Sequence, residues 1–138
     1  MKTRLLRPIY LLPTLLLLFI GGCQTLENKK SDIALENVLS SYRVAVRWGN
    51  PDKAYVFLKP ENLSEEGIPS GLDNIRVTGY EVIRPAVPLS EGVVTQTARI
   101  SYVLEDRQVE RNLVDTQIWE YQSEQKLWYR INPIPEFE

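Results

Sequence analysis

The sequence contains no histidine, and its 138 residues include a single cysteine, Cys23. The missing histidine removes Ser–His and Cys–His nucleophile pairs and the commonest metal ligand. One thiol can form no intrachain disulfide and no cysteine-based zinc site. Neither a glycine-rich phosphate loop nor a calcium-loop pattern occurs. Charge of one sign is also lacking: 16 basic residues stand against 18 acidic ones, for a net −2. Nucleic-acid binding needs a basic footprint, so that class falls away. Nothing in the remaining residues calls for a cofactor.

Long apolar runs are scarce too. The longest, Ile9 to Ile20, is broken by Pro13 and Thr14. Crossing roughly 30 Å of hydrocarbon takes about 20 apolar residues, so this run is too short to span. Before it, Met1 to Arg7 carries Lys2, Arg4 and Arg7 and no acid; after it come Gly21 and Gly22. A basic start, an apolar centre and a small-residue exit describe a secretory signal peptide.

The exit reads Ile20-Gly21-Gly22-Cys23. It resembles a bacterial lipobox: an aliphatic residue, two small residues, then cysteine. That resemblance covers residues 1–23 and implies a lipoprotein signal peptide over 1–22. It also implies diacylglycerol on the Cys23 sulfur, cleavage before Cys23, and acylation of the new amino group by chains such as palmitate. One acyl chain binds a membrane only marginally, at about 0.8 kcal/mol per buried methylene, whereas two or three anchor stably. Gln24 follows the cysteine where the family uses aspartate to hold a lipoprotein at the inner membrane. The expected address is therefore the outer membrane, with the domain facing the periplasm. Cleavage would remove Lys2, Arg4 and Arg7, so the 16 basic residues fall to 13 against 18 acids, a net −5.

Downstream, the lipidated Cys23 and the polar stretch to Ser31 read as a tether over residues 23–31. A single domain over 32–138 follows. Leu35, Val38, Leu39, Tyr42, Ala45 and Val46 fall at helical spacing and form one apolar stripe. Ser31 or Asp32 can cap this helix, and Gly49 ends it. Asn50-Pro51-Asp52 starts a short second helix that Pro60 stops. Residues Glu61 to Asn74 read as loop, with at most one weak turn of helix.

From Ile75 the period changes to two. Ile75 to Val82 reads as a strand with a bulge at Gly79, ended by Pro85 and Pro88. Thr97 to Leu104 alternates cleanly, Val109 to Gln122 is long and rich in strand formers, and Leu127 to Ile131 closes the set. Asn132-Pro133-Ile134-Pro135 cannot continue a ladder. Two helices followed by four antiparallel strands give an α+β fold, one long and one short helix packed on a curved sheet.

This order, with the stretches "VRWGNPDKAYVFL" and "IWEYQSEQKLWYRI", resembles the cystatin-like cone of the nuclear transport factor two-like family. The likeness spans residues 32–132. It implies a cavity in which an acid or histidine can move a proton. Without histidine, the candidate base is a strand carboxylate, and Asp115 lies between Val114 and Thr116 in the most apolar strand. Alternatively Asp115 faces solvent or pairs across the sheet with Arg99 or Arg111. Trp48, Tyr80, Tyr102, Trp119, Trp128 and Tyr129 could line a ligand or partner surface, or fill the core. Glu61, Glu65 and Glu66 read as a solvated acidic loop rather than a weak calcium site. Asn62-Leu63-Ser64 matches a glycosylation acceptor that has no default meaning in a bacterial lipoprotein.

Two readings follow. The first is a lipid-anchored, non-catalytic module that binds an unidentified envelope protein or component. The second is a small cone-fold enzyme or ligand carrier with an aromatic cavity. A filled interior favours the first; a cavity lined by Asp115 or Glu81 favours the second.

Overall fold

The computed structural model describes residues 22–138. The signal peptide expected over 1–22 lies almost wholly outside them. Helix α1 runs Gly22–Trp48, nine or ten residues earlier than the Ser31 or Asp32 start expected from capping. The stretch expected as a tether is therefore helical: Leu26, Glu27, Lys29 and Lys30 favour helix, and no glycine or proline interrupts them. Thr25 to Lys30 are exposed on every side, so this part of α1 projects beyond the domain.

The apolar stripe on α1 packs inward as its spacing predicts. Tyr42 and Val46 are fully buried, and Leu35, Val38 and Leu39 sit against them at the margin of the core. Gly49 closes the helix by donating to Ala45 O at 2.9 Å. A Cβ at Gly49 would lie 2.6 Å from that same carbonyl, so a side chain there would force the helix end apart.

Pro51–Phe57 forms a 3₁₀ helix, with Pro51 in its first turn. Leu58 then bridges in parallel to Arg130, and Lys59 N bonds Arg130 O at 2.9 Å. Pro60 does not stop a helix but begins one, α2, Pro60–Glu66. Its missing N–H is one of those unsatisfied in any first helical turn, which is why proline serves there. The expected loop is thus partly helical. A further 3₁₀ turn, Leu72–Asn74, leads into the sheet.

Strands β1 (Ile75–Ser90), β2 (Val93–Leu104), β3 (Val109–Gln122) and β4 (Leu127–Arg130) form one antiparallel sheet in the order 1-2-3-4. The bulge expected at Gly79 is present, and three more register shifts follow it along β1. Each adds a bend, which curves the sheet around α1. Neither Pro85 nor Pro88 ends β1, contrary to expectation. They are tolerated because β1 is an edge strand, where a lost donor breaks no outer ladder.

Helix α1 crosses the concave face obliquely. Just past its projecting part, Trp128 Nε1 of β4 donates to Ser31 O at 3.0 Å. Near its end, Arg47 Nη1 donates to Val77 O of β1 at 3.0 Å. Between these points lie Ile100, Tyr102, Trp119 and Trp128 of the sheet. The final segment folds back on β2: Phe137 meets Tyr102 edge-on at 5.1 Å, and Tyr102 Oη donates to Glu138 O at 2.7 Å.

Candidate functional site

The inward positions of β3 are Leu113, Asp115, Gln117, Trp119 and Tyr121, so strand alternation alone points a carboxylate and an amide at α1. Asp115 is 1% exposed, and it pairs with neither Arg99 nor Arg111. Its partner is Arg130 of β4, also 1% exposed. Arg130 Nη2 donates to Asp115 Oδ1 at 2.7 Å and Nη1 to Oδ2 at 3.0 Å. Arg99 instead meets Glu81 at 3.0 Å on the outer face, so Glu81 lines no interior. Arg111 donates to Glu138 O.

The pair sits inside a closed set of hydrogen bonds. Tyr42 Oη donates to Asp115 Oδ2 at 2.9 Å and accepts from Arg130 Nη1 at 2.8 Å. Gln117 Nε2 donates to Oδ2 at 3.0 Å and to Tyr80 Oη at 2.7 Å, while Gln117 Oε1 accepts from Trp119 Nε1 at 3.2 Å. The remaining guanidinium donors reach Asn132 O at 3.0 Å and Pro133 O at 2.6 Å. All five N–H groups of the guanidinium are therefore used.

Aromatic rings close the space around this set. Tyr42 stands edge-on to Trp119 at 5.4 Å and to Phe57 at 5.5 Å. Burial pushes the Tyr42 hydroxyl well above its ordinary pKa, and the Asp115 charge adds to that. Burial likewise raises Tyr80, to about 12. For Arg130, burial acts to lower the pKa, but Tyr42 and Asp115 outweigh it and the net shift is upward. A proton-transferring base needs a free lone pair within reach of substrate. Asp115 accepts four hydrogen bonds from protein groups, and no cleft described below reaches it.

Of the six aromatic residues expected to line a ligand or partner surface, only Trp48 is exposed, at 75%. Tyr102, Trp119 and Trp128 are buried in the core together with Asp115, and Tyr80 is half-buried against them. Tyr129 is half-buried on the far side of β4, donating to Gln125 Oε1. Asn62 is tied by its side chain to Ile131 O at 2.9 Å. Among the described residues, no group of three or more acidic or cysteine side chains is placed to hold a metal ion. Nor, among them, is any helix long and apolar enough to cross a membrane.

Trp48 borders an open cleft of about 530 Å³ between the end of α1 and the start of β1. Arg47 lies over the indole, its Cζ 4.0 Å from the ring centroid. Asn50, Asp73, Arg76 and Glu105 supply polar groups around the rim. A smaller groove of about 240 Å³ separates Leu39 and Arg43 of α1 from Val82 and Gln96 of the sheet.

From the sequence alone, neither Arg130 nor Gln117 is singled out, and Tyr42 is placed on the apolar stripe of α1 without a polar role. A signal for Arg130 exists: it stands two positions after Trp128, so the two share a face in any strand. Neither a protein-family model, a curated protein nor a solved structure matches the chain.

Proposed function

We propose that the chain is an envelope lipoprotein, anchored through acyl chains on Cys23, whose domain is a non-catalytic, periplasm-facing binding module. The order of a long helix and a curved four-stranded meander supports the likeness to a cystatin-like cone. The observation that carries the module reading is the filled interior. Where a cone-fold enzyme keeps a cavity, this domain holds an Asp115–Arg130 pair with every donor engaged and aromatic rings packed around it. Recognition then belongs to the surface.

Helix α1 supports the same reading by its length. At about 1.5 Å per residue, its 27 residues set Trp48 roughly 40 Å from the end that carries Cys23. An anchor at one end of a stiff rod leaves the other end facing away from the lipid. The exposed tryptophan beside an arginine fits a recognition centre, since both residue types are enriched where binding energy concentrates.

Photo-crosslinking in living cells tests this. A photoreactive residue at position 48 should give an adduct, while one at position 114, exposed on the opposite face of the sheet at 60%, should give none. Adducts at 114 alone would contradict the reading.

A further inference from the structure

We infer that the cleft beside Trp48 is a saccharide-binding site, taking a neutral, polyhydroxylated chain across the open face of the indole. The inference rests on the binding-module reading and gives that module its ligand class.

Four observations carry it. Trp48 is 75% exposed although it ends a helix whose other aromatic, Tyr42, is fully buried. One face of its ring is backed by Arg47, which is itself held by a 3.0 Å bond to Val77 O. Arg47 covers one side of the indole, and at 75% exposure most of the ring remains open to solvent. An indole face carries negative potential, which attracts the C–H hydrogens of a sugar ring.

Second, hydrogen-bonding groups stand unused at the rim. Asn50 precedes the 3₁₀ helix without capping it by its side chain, and no hydrogen bond occupies the Asp73 carboxylate among the described residues. An amide offers both donors and acceptors and a carboxylate offers acceptors, the pairing that a ring of hydroxyls requires.

Third, the charges cancel. Arg47 and Arg76 face Asp73 and Glu105, and Arg76 already lies 3.6 Å from Glu105. Such a lining gives no net attraction to phosphate or to a polycation. Fourth, the cleft is open and holds about 530 Å³, within the range that small ligands occupy. Its apolar floor, Ile75 and Val77, is 8% and 4% exposed, so it offers no deep pocket for an apolar anchor from a protein.

The test uses full-length protein in detergent micelles and two probes, the β-1,4-linked tetramers of N-acetylglucosamine and of glucose. The chain has three tryptophans, and Trp119 and Trp128 are buried, so a saturable change in indole emission reports Trp48. Binding of the acetylated tetramer alone would identify an amino-sugar polymer, and binding of the glucose tetramer a plain hexose chain; either supports the inference. Calorimetry should show Trp48→Ala weakening that binding about tenfold while Trp48→Phe retains most of it. Thermal melts of both variants should match the parent, because the side chain is exposed. If neither tetramer binds, or Trp48→Ala binds as well as the parent, the saccharide inference falls. Persisting crosslinks at position 48 would then leave the module reading standing, whereas their absence as well would remove both.

Discussion

Arg130 grips both carboxylate oxygens of Asp115, at 2.7 and 3.0 Å, from the last and shortest strand of the sheet. This contact ties β4 to β3 beneath α1, and Tyr42 adds the helix to the same group. Three elements thus share one buried ion pair. Such a pair does not automatically stabilise a fold, because taking two charges from water costs several kcal/mol per ion. Its cost appears when one partner is lost and the other is left uncompensated.

Arg130→Met should therefore cost about 3–5 kcal/mol, and adding Asp115→Leu should recover a substantial part of that loss. Urea melts of the two variants and the parent measure both quantities. A double variant no more stable than Arg130→Met alone would show that the pair contributes beyond mutual neutralisation.

Alkaline pH should destabilise the domain through its tyrosines. The folded-state pKa values of Tyr42 and Tyr80 are raised, the latter to about 12, against an ordinary value near 10. Below pH 10 the hydroxyls are protonated in both states and the full stability is present. Above it the unfolded chain loses protons first, so stability falls as pH rises through the folded values. Tyr80 alone should account for on the order of 2 kcal/mol between pH 10 and 12. In Tyr80→Phe the slope of stability against pH over that window should be shallower.

Cys23→Ser should abolish fatty-acid labelling and leave the precursor uncleaved, since the lipid-dependent peptidase of the lipobox pathway acts on the modified thiol. Metabolic labelling with an alkyne fatty acid, read on a gel that separates precursor from mature chain, checks both. A variant that still labels and stays with membranes at high salt would overturn the assignment.

Sorting offers an independent check. With Gln24 after the cysteine, the mature protein should sediment with outer-membrane fractions in a sucrose gradient. Gln24→Asp should move it toward the inner membrane. Recovery of the parent wholly in inner-membrane fractions would refute the expected address.

Much of the architecture was legible because burial follows period. Tyr42 and Val46 fell on the predicted face, Gly79 marked its bulge, and β3 has the bounds that its composition suggests. The differences share a cause: the local preference of a proline or a polar residue yields to its place in the fold. Pro60 begins a helix, and Pro85 and Pro88 sit inside β1, because only position in the fold decides whether a missing N–H matters. The site was harder still. On β3 the apolar Val114 points outward at 60% exposure while Asp115 and Gln117 point in at 1% and 0%. That inversion of the usual pattern can be recognised only once Arg130, fifteen residues away and paired in register with Trp119, is known to reach the Asp115 carboxylate. Trp48 was legible as a candidate, but its exposure was not, since its isolation depends on where α1 ends over β1.

The central claim is that the buried polar group is structural, each charge compensated by the other, and leaves recognition to the surface. Asp115→Asn tests it most directly, because it keeps the shape of the side chain while removing the charge and turning one of the oxygens that accept from Arg130, Tyr42 and Gln117 into a donor. Chemical denaturation of this variant should show a loss of about 3 kcal/mol or more, as Arg130 is left buried without its counter-ion. Stability equal to or above that of the parent would mean a carboxylate held at a cost to the fold, as catalytic groups often are, and would contradict the claim.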